Sequence, residues 1–334
     1  MTFRTLDDRH RGRVDLFIAL VLALLLPTNA TVLMSAETRE SSTGGLPSVD
    51  AVSTDFVAVP RAHGPVQFKI YTNASPDSQS LFNSFEIEAH GQSLLQTLEG
   101  KTLKGWLDSG GTREAVHQIL IDGHGATLSP ANGMRLMERA AGPGWEYMAL
   151  DASDAYRGQL ERFTRAVLFV EPDLFVLYDQ VVAPAPVAFQ MLLHAPADTR
   201  VDPDWGDLHL ETTITNLRIN TPGEKRSPRA WKKLQSGFES SIPGHATMQL
   251  EAAAKLTRYD VITVFAVYPA RGKSDYAFKL LEGTTAIGAR IHRAGLPTLV
   301  AFRTSPLGRP ASLTGFSFDG SVGVDVFRPK FRTR

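Results

Sequence analysis

The chain has 334 residues, room for two domains of about 150 or for one large all-β domain. Lys plus Arg and Asp plus Glu each number 35, so the net charge is zero and no whole-molecule field attracts nucleic acid or an anionic membrane. With no cysteine, a disulfide scaffold, a thiolate zinc site, an iron–sulfur cluster and a cysteine nucleophile are excluded, and any metal must use His, Asp or Glu.

At the N-terminus, Arg4, Arg9, Arg11 and Arg13 precede an unbroken apolar run from Leu16 to Leu26, closed by Pro27 and Thr28-Asn29-Ala30. This order of basic, apolar and small residues is a signal-peptide pattern, and the run is well short of the ~20 residues that span a bilayer as a helix. Residues 1–36 are expected to be a signal peptide or short anchor, the alternative being a buried helix of a larger protein. The expected location is periplasmic or secreted, with any membrane contact made through this segment alone. Residues 37–54, rich in Ser, Gly and charge, read as a linker.

From residue 55 to 330 apolar alternation with period two dominates, the signature of half-buried strands. Strands are predicted at Phe56–Val59, Val66–Tyr71, Phe85–Ala89, Phe189–His194, Leu208–Ile219, Ala246–Ala252, Val261–Tyr268, Ala277–Leu281, Ala286–His292, Thr298–Arg303 and Ser312–Phe318. The clearest hairpin joins Ala166–Val170 to Leu174–Tyr178 through Glu171-Pro172-Asp173, where Pro and Asp supply turn chemistry. Arg165 and Asp179 flank its apolar runs and are expected to pair across it. Ala131–Ala141 is the one stretch that reads as a short helix, and residues 222–237 read as a long polar loop. The whole predicts an all-β fold, a large antiparallel two-sheet sandwich.

The phosphate-loop, nucleophile-elbow, His-Glu-x-x-His and dinucleotide-glycine motifs are all absent. The segment Val116-His117-Gln118-Ile119-Leu120-Ile121-Asp122-Gly123-His124-Gly125 combines a polar opening, an apolar strand and an Asp-Gly turn. It resembles a motif of the heparinase II/III-like family of polysaccharide lyases, in which a His-Asn pair precedes such a strand and turn. Ser84–Leu95 upstream, and Tyr156, Arg162–Arg165 and Met191–His194 downstream, are similar to that family's sandwich domain in order and spacing.

The resemblance implies β-elimination on a uronic-acid-containing polysaccharide. A base takes the C5 proton, a carboxylate-neutralising group stabilises the intermediate, and the 4-O bond breaks. In the family a helical toroid carries much of that chemistry, including a tyrosine acid, and the 55 residues ahead of this sandwich are too few to build one; a separate toroid domain is therefore an expected partner. Asp77, Gln79 and Leu81 stand where family members carry His-x-His-x-Asp, Thr97 where some carry a zinc-binding Asp, and Gln118 replaces Asn. No cofactor is expected, since most family zinc positions are lost. The resemblance marks His117 and Gln118 as catalytic candidates.

His124, after the glycine turn, is a candidate substrate-binding residue that also reads as a solvated loop residue. Arg229, Trp231, Lys232 and Lys233, with Lys225 and Arg226 nearby, offer cations for carboxylate or sulfate and an aromatic face for a sugar ring. His194, and Tyr147 and Tyr156 in the loop region expected between the motif and the hairpin, are weaker candidates whose commoner role is packing. The alternative to a lyase is a non-catalytic module that binds acidic polysaccharide through the basic cluster.

Overall fold

The computed structural model describes residues 56–59, 66–71, 85–96, 119–126, 134–203, 207–221, 229–233, 245–272, 276–293 and 296–326. All belong to one unit, Ser53–Arg334. The N-terminal apolar segment and the proposed linker lie outside the described residues.

The hairpin expected around Glu171-Pro172-Asp173 is the centre of the fold. Strand β8 (Arg162–Val170) pairs with β9 (Leu174–Val187), and Val170 faces Leu174 across the turn. Both strands lie inside an eight-stranded antiparallel sheet. On one side come β7 (Trp145–Asp151) and β6 (Arg135–Gly142); on the other come β16 (Leu256–Pro269), β13 (Thr215–Asn220), β12 (Asp207–Glu211) and β11 (Arg200–Pro203).

Alternation along these strands sends side chains to opposite faces, and both faces are apolar. Phe163, Val167, Phe169, Phe175, Leu177, Val181 and Phe265 enter the main core. Ala166, Leu168, Val170, Leu174, Val176, Ile262 and Val264 enter a second core. A strand buried on both faces reads as a continuous apolar run, which is why Ala166–Val170 and Leu174–Tyr178 carry no polar alternation.

The main core is closed by two four-stranded sheets. One runs β1 (Phe56–Val59), β2 (Val66–Tyr71), β3 (Phe85–Ala89), β4 (Gln92–Leu95); the other runs β14 (Arg229–Lys233), β15 (His245–Ala252), β10 (Phe189–Pro196), β5 (Ile119–Ile121). The amide of Gln96 donates to the His194 carbonyl at 3.0 Å, so the end of β4 meets the edge of β10. The second core is closed by β17 (Ala277–Glu282), β18 (Ala286–Arg293), β19 (Leu296–Arg303) and β22 (Val322–Val326). A hairpin of β20 (Ala311–Leu313) and β21 (Phe316–Phe318) covers part of that sheet's outer face. The expected sandwich is present, and a further layer covers the second face of its central sheet.

Arg165 and Asp179 are directly opposite in the β8–β9 register and pair as expected. The Arg165 guanidinium donates through Nε and Nη2 at 2.7 and 2.9 Å, and both side chains are sealed from solvent. The rings of Phe85 and Phe163 lie 5.6 and 5.4 Å from the guanidinium carbon. A two-point charge pair roofed by aromatic faces is the geometry in which a buried arginine is tolerated.

Four local expectations are corrected. Ala131–Ala141 is not helical where it is described: residues 135–142 form β6, because pairing with β7 outweighs the helix preference of Met, Leu, Glu and Ala. The loop at 222–237 contains a strand, β14, which pairs with β15. Leu208–Ile219 and Ser312–Phe318 are each a hairpin, not one strand. Tyr147 lies in β7 and not in a loop, and it is buried.

Candidate functional site

The sheet β14–β15–β10–β5 carries most of the sequence candidates that are described. In β10, Phe189, Met191, Leu193 and Ala195 face the main core; in β15, Ala246, Met248, Leu250 and Ala252 do. Alternation therefore places Gln190, Leu192 and His194 with Thr247, Gln249 and Glu251 on the opposite face. They stand in register as His194↔Thr247, Leu192↔Gln249 and Gln190↔Glu251.

His194 is 1% exposed. Its Nδ1 lies 3.1 Å from Thr247 Oγ1, and its Nε2 is buried without a hydrogen-bond partner. Burial, helped by the charge of His245, pushes its pKa down to about 3, so the ring is neutral at physiological pH. Such an imidazole is a poor proton acceptor; what it offers is one open hydrogen-bonding nitrogen in a dry setting.

His124 is exposed on a tight turn in which Asp122 and Gly123 both have positive φ, 48° and 84°. Ile121 and His124 exchange backbone hydrogen bonds of 2.8 and 2.9 Å. Asp122 Oδ1 accepts from the Ala188 amide at 2.9 Å and from Lys255 Nζ at 2.7 Å. The Lys255 hydrogen bond, then that of Ala188, holds the Asp122 carboxyl below the usual carboxylate range. The turn is thus clamped to the residue that leads into β10 and to the chain just after β15, and His124 is left facing solvent. Lys255 lies 133 residues from Asp122, and no sequence pattern announces it.

Arg229, Trp231, Lys232 and Lys233 fall on the edge strand β14. Trp231 is in register with Leu250, Lys233 with Met248 and Arg229 with Ala252, whereas Lys232 is in register with Gln249. Strand alternation therefore divides these candidates between two faces, and position 232 shares the face of His194. The β5 and β14 edges are three strand spacings apart, ~14 Å, so His124 and the basic strand are not one cluster.

His117 and Gln118 lie outside the described residues; Ile119, which follows them, pairs with Met191 in β10. Tyr156 is fully buried in a short 3-10 turn and donates to the Ile119 carbonyl at 3.0 Å. Burial raises the Tyr147 pKa, so neither tyrosine is presented as a solvent-facing acid. Among the described residues no group of three or more His, Asp and Glu is placed to hold a metal ion.

No family model matches the chain, and no curated protein matches it either. Solved structures do. The heparan sulfate lyase HepC from Pedobacter heparinus superposes with a TM-score of 0.55 at 11% identity, over 73% of this chain and 40% of that one. A heparinase III with methylated lysines gives 0.53 at 12% identity, over 74% and 40%. Another heparinase III gives 0.50 at 14%, over 71% and 39%. The fold of this β-sandwich is that of these heparinase III lyases, in accord with the sequence resemblance. The chain spans about two fifths of the length of the structures it matches.

Proposed function

We propose that the chain provides the β-sandwich of a carbon–oxygen lyase that cleaves uronic-acid-containing polysaccharide by β-elimination. The observation that carries this reading is the correspondence of the layered fold with a heparan sulfate lyase and two heparinase III structures. The basic positions of β14 support it, since Arg and Lys on an edge strand suit carboxylate and sulfate groups. His117 and Gln118 are the proposed catalytic positions. A helical toroid domain is the proposed source of the remaining acid–base groups, and export through Leu16–Leu26 is part of the proposal.

The test is formation of the unsaturated uronate chromophore from heparan sulfate. The purified protein is assayed alone and with a heparinase III toroid domain. Chromophore that appears with the wild type and disappears in His117→Ala supports the reading. Chain cleavage without a new double bond, or no cleavage under either condition, contradicts it. Binding without cleavage selects the non-catalytic acidic-glycan module instead.

A further inference from the structure

The outer face of β17–β18–β19–β22 holds a groove of about 440 Å³ lined by Arg290, His292, Leu299, Phe316 and Asp325, among others. We infer that this groove is a binding site for an acidic sugar unit, a hydroxylated ring bearing a carboxylate. The inference stands on these residues alone and does not depend on the lyase reading.

Two glycines build the groove's wall. A Cβ on Gly288 would lie 2.1 Å from the Val300 carbonyl oxygen and 2.6 Å from a Leu313 methyl. A Cβ on Gly323 would lie 2.6 Å from the Phe316 ring and 2.7 Å from that of Phe318. The β20–β21 hairpin can seat on the sheet only because these positions lack side chains. Its turn, Thr314-Gly315, has positive φ at both residues, 50° and 86°, which suits the twist of a two-residue hairpin. Where the glycines end, charge begins: two residues along the same faces stand Arg290 and Asp325.

Register places Arg290 opposite Leu299 and Leu299 opposite Asp325, so the cation and the carboxylate flank an apolar floor with backbones ~10 Å apart. Among the described residues no ion pair or side-chain hydrogen bond engages Arg290, His292 or Asp325. Arg303, on the same face, contrasts with this, because it donates to the carbonyls of Pro306, Arg309, Phe318, Asp319 and Gly320. An uncommitted guanidinium in a concavity has its fork free for a ligand carboxylate. Asp325 accepts from ring hydroxyls, and the Leu299 floor and half-buried Phe316 match the C–H face of a sugar. The volume is within the ordinary range for small-molecule sites.

Amide NMR titration with the methyl glycoside of glucuronic acid tests this, since that probe has no inter-sugar bond for elimination to cleave. Methyl glucoside serves as the neutral control and inorganic sulfate as the anion control. The expected result is shifts centred on Arg290, Leu299, Phe316 and Asp325, with affinity at least tenfold lower in Arg290→Gln and several-fold lower in Asp325→Asn. Arg290 has no partner to lose, so Arg290→Gln should melt like the wild type; Asp325→Asn provides a second variant. Unchanged affinity in Arg290→Gln overturns the site, as does equal binding of methyl glucoside; sulfate binding as tightly as the glucuronide overturns the sugar assignment.

Discussion

Two of the three four-stranded sheets that flank the central one, β14–β15–β10–β5 and β17–β18–β19–β22, are alike in strand number and antiparallel pairing and opposite in the finish of their outer faces. The first buries the His194, Thr247 and Gln249 part of its polar row, leaving His194 neutral with one nitrogen unpartnered, and carries its Arg and Lys on the edge strand β14. The second is roofed at one end by a hairpin seated on glycines and left open at the other, where Arg290 and Asp325 face a groove. The difference lies in the alternate positions turned away from the two cores, which are largely covered in the first sheet and open to a groove in the second.

The largest expected effect lies in the scaffold beneath both layers. Asp179→Ala strands the Arg165 guanidinium in the main core and should cost about 3–5 kcal/mol in urea unfolding. A loss below about 1 kcal/mol would mean that the central sheet is less sealed than the contrast requires. Gly288→Ala pushes a methyl into the Val300 carbonyl and the Leu313 side chain. It should destabilise by on the order of 3 kcal/mol and loosen the β20–β21 hairpin, seen as faster amide exchange there. Retention of wild-type stability would show that the hairpin is not seated as described.

The buried row is tested by acid. The pKa of His194 is lowered on folding, so its stabilisation is complete above the unfolded value near 6.5 and is lost as pH falls from there toward about 3. Within that window the folding equilibrium should weaken about tenfold per pH unit from this one proton. His194→Asn should remove that dependence, visible as a flatter acid limb in pH-dependent urea titrations; an unchanged limb would mean an accessible, ordinary histidine. Least is expected of Lys255→Met, which breaks an exposed pair with Asp122 and should cost no more than about 1 kcal/mol, diminishing with salt.

Much of this architecture was legible in the sequence. The three-residue turn Glu171-Pro172-Asp173 sets the hairpin register, and from it the Arg165–Asp179 pair follows directly. The continuous apolar runs of β8 and β9 also carry the sign of burial on both faces, which a two-sheet reading leaves unused. The helix expected at Ala131–Ala141 fails because local propensity yields to cross-strand pairing with a partner the reading had not assigned. The candidate sites were less legible for a physical reason. Asp122 meets Lys255, Gln96 meets His194, and Arg290 shares its groove with Asp325 and Phe316, all contacts between distant stretches of chain that leave no local pattern. Gly288, Arg290 and His292 do alternate on one face of β18, but the meaning of that spacing appears only once the hairpin is in place.

Hydrogen exchange of the protein with and without heparan sulfate addresses most directly the claim that the outer layers meet the sugar while the central sheet serves as scaffold. Added protection is expected along β14 and at the groove formed by β18, β21 and β22, with none in β8 and β9. Protection concentrated in the central strands, or no change anywhere, would contradict it.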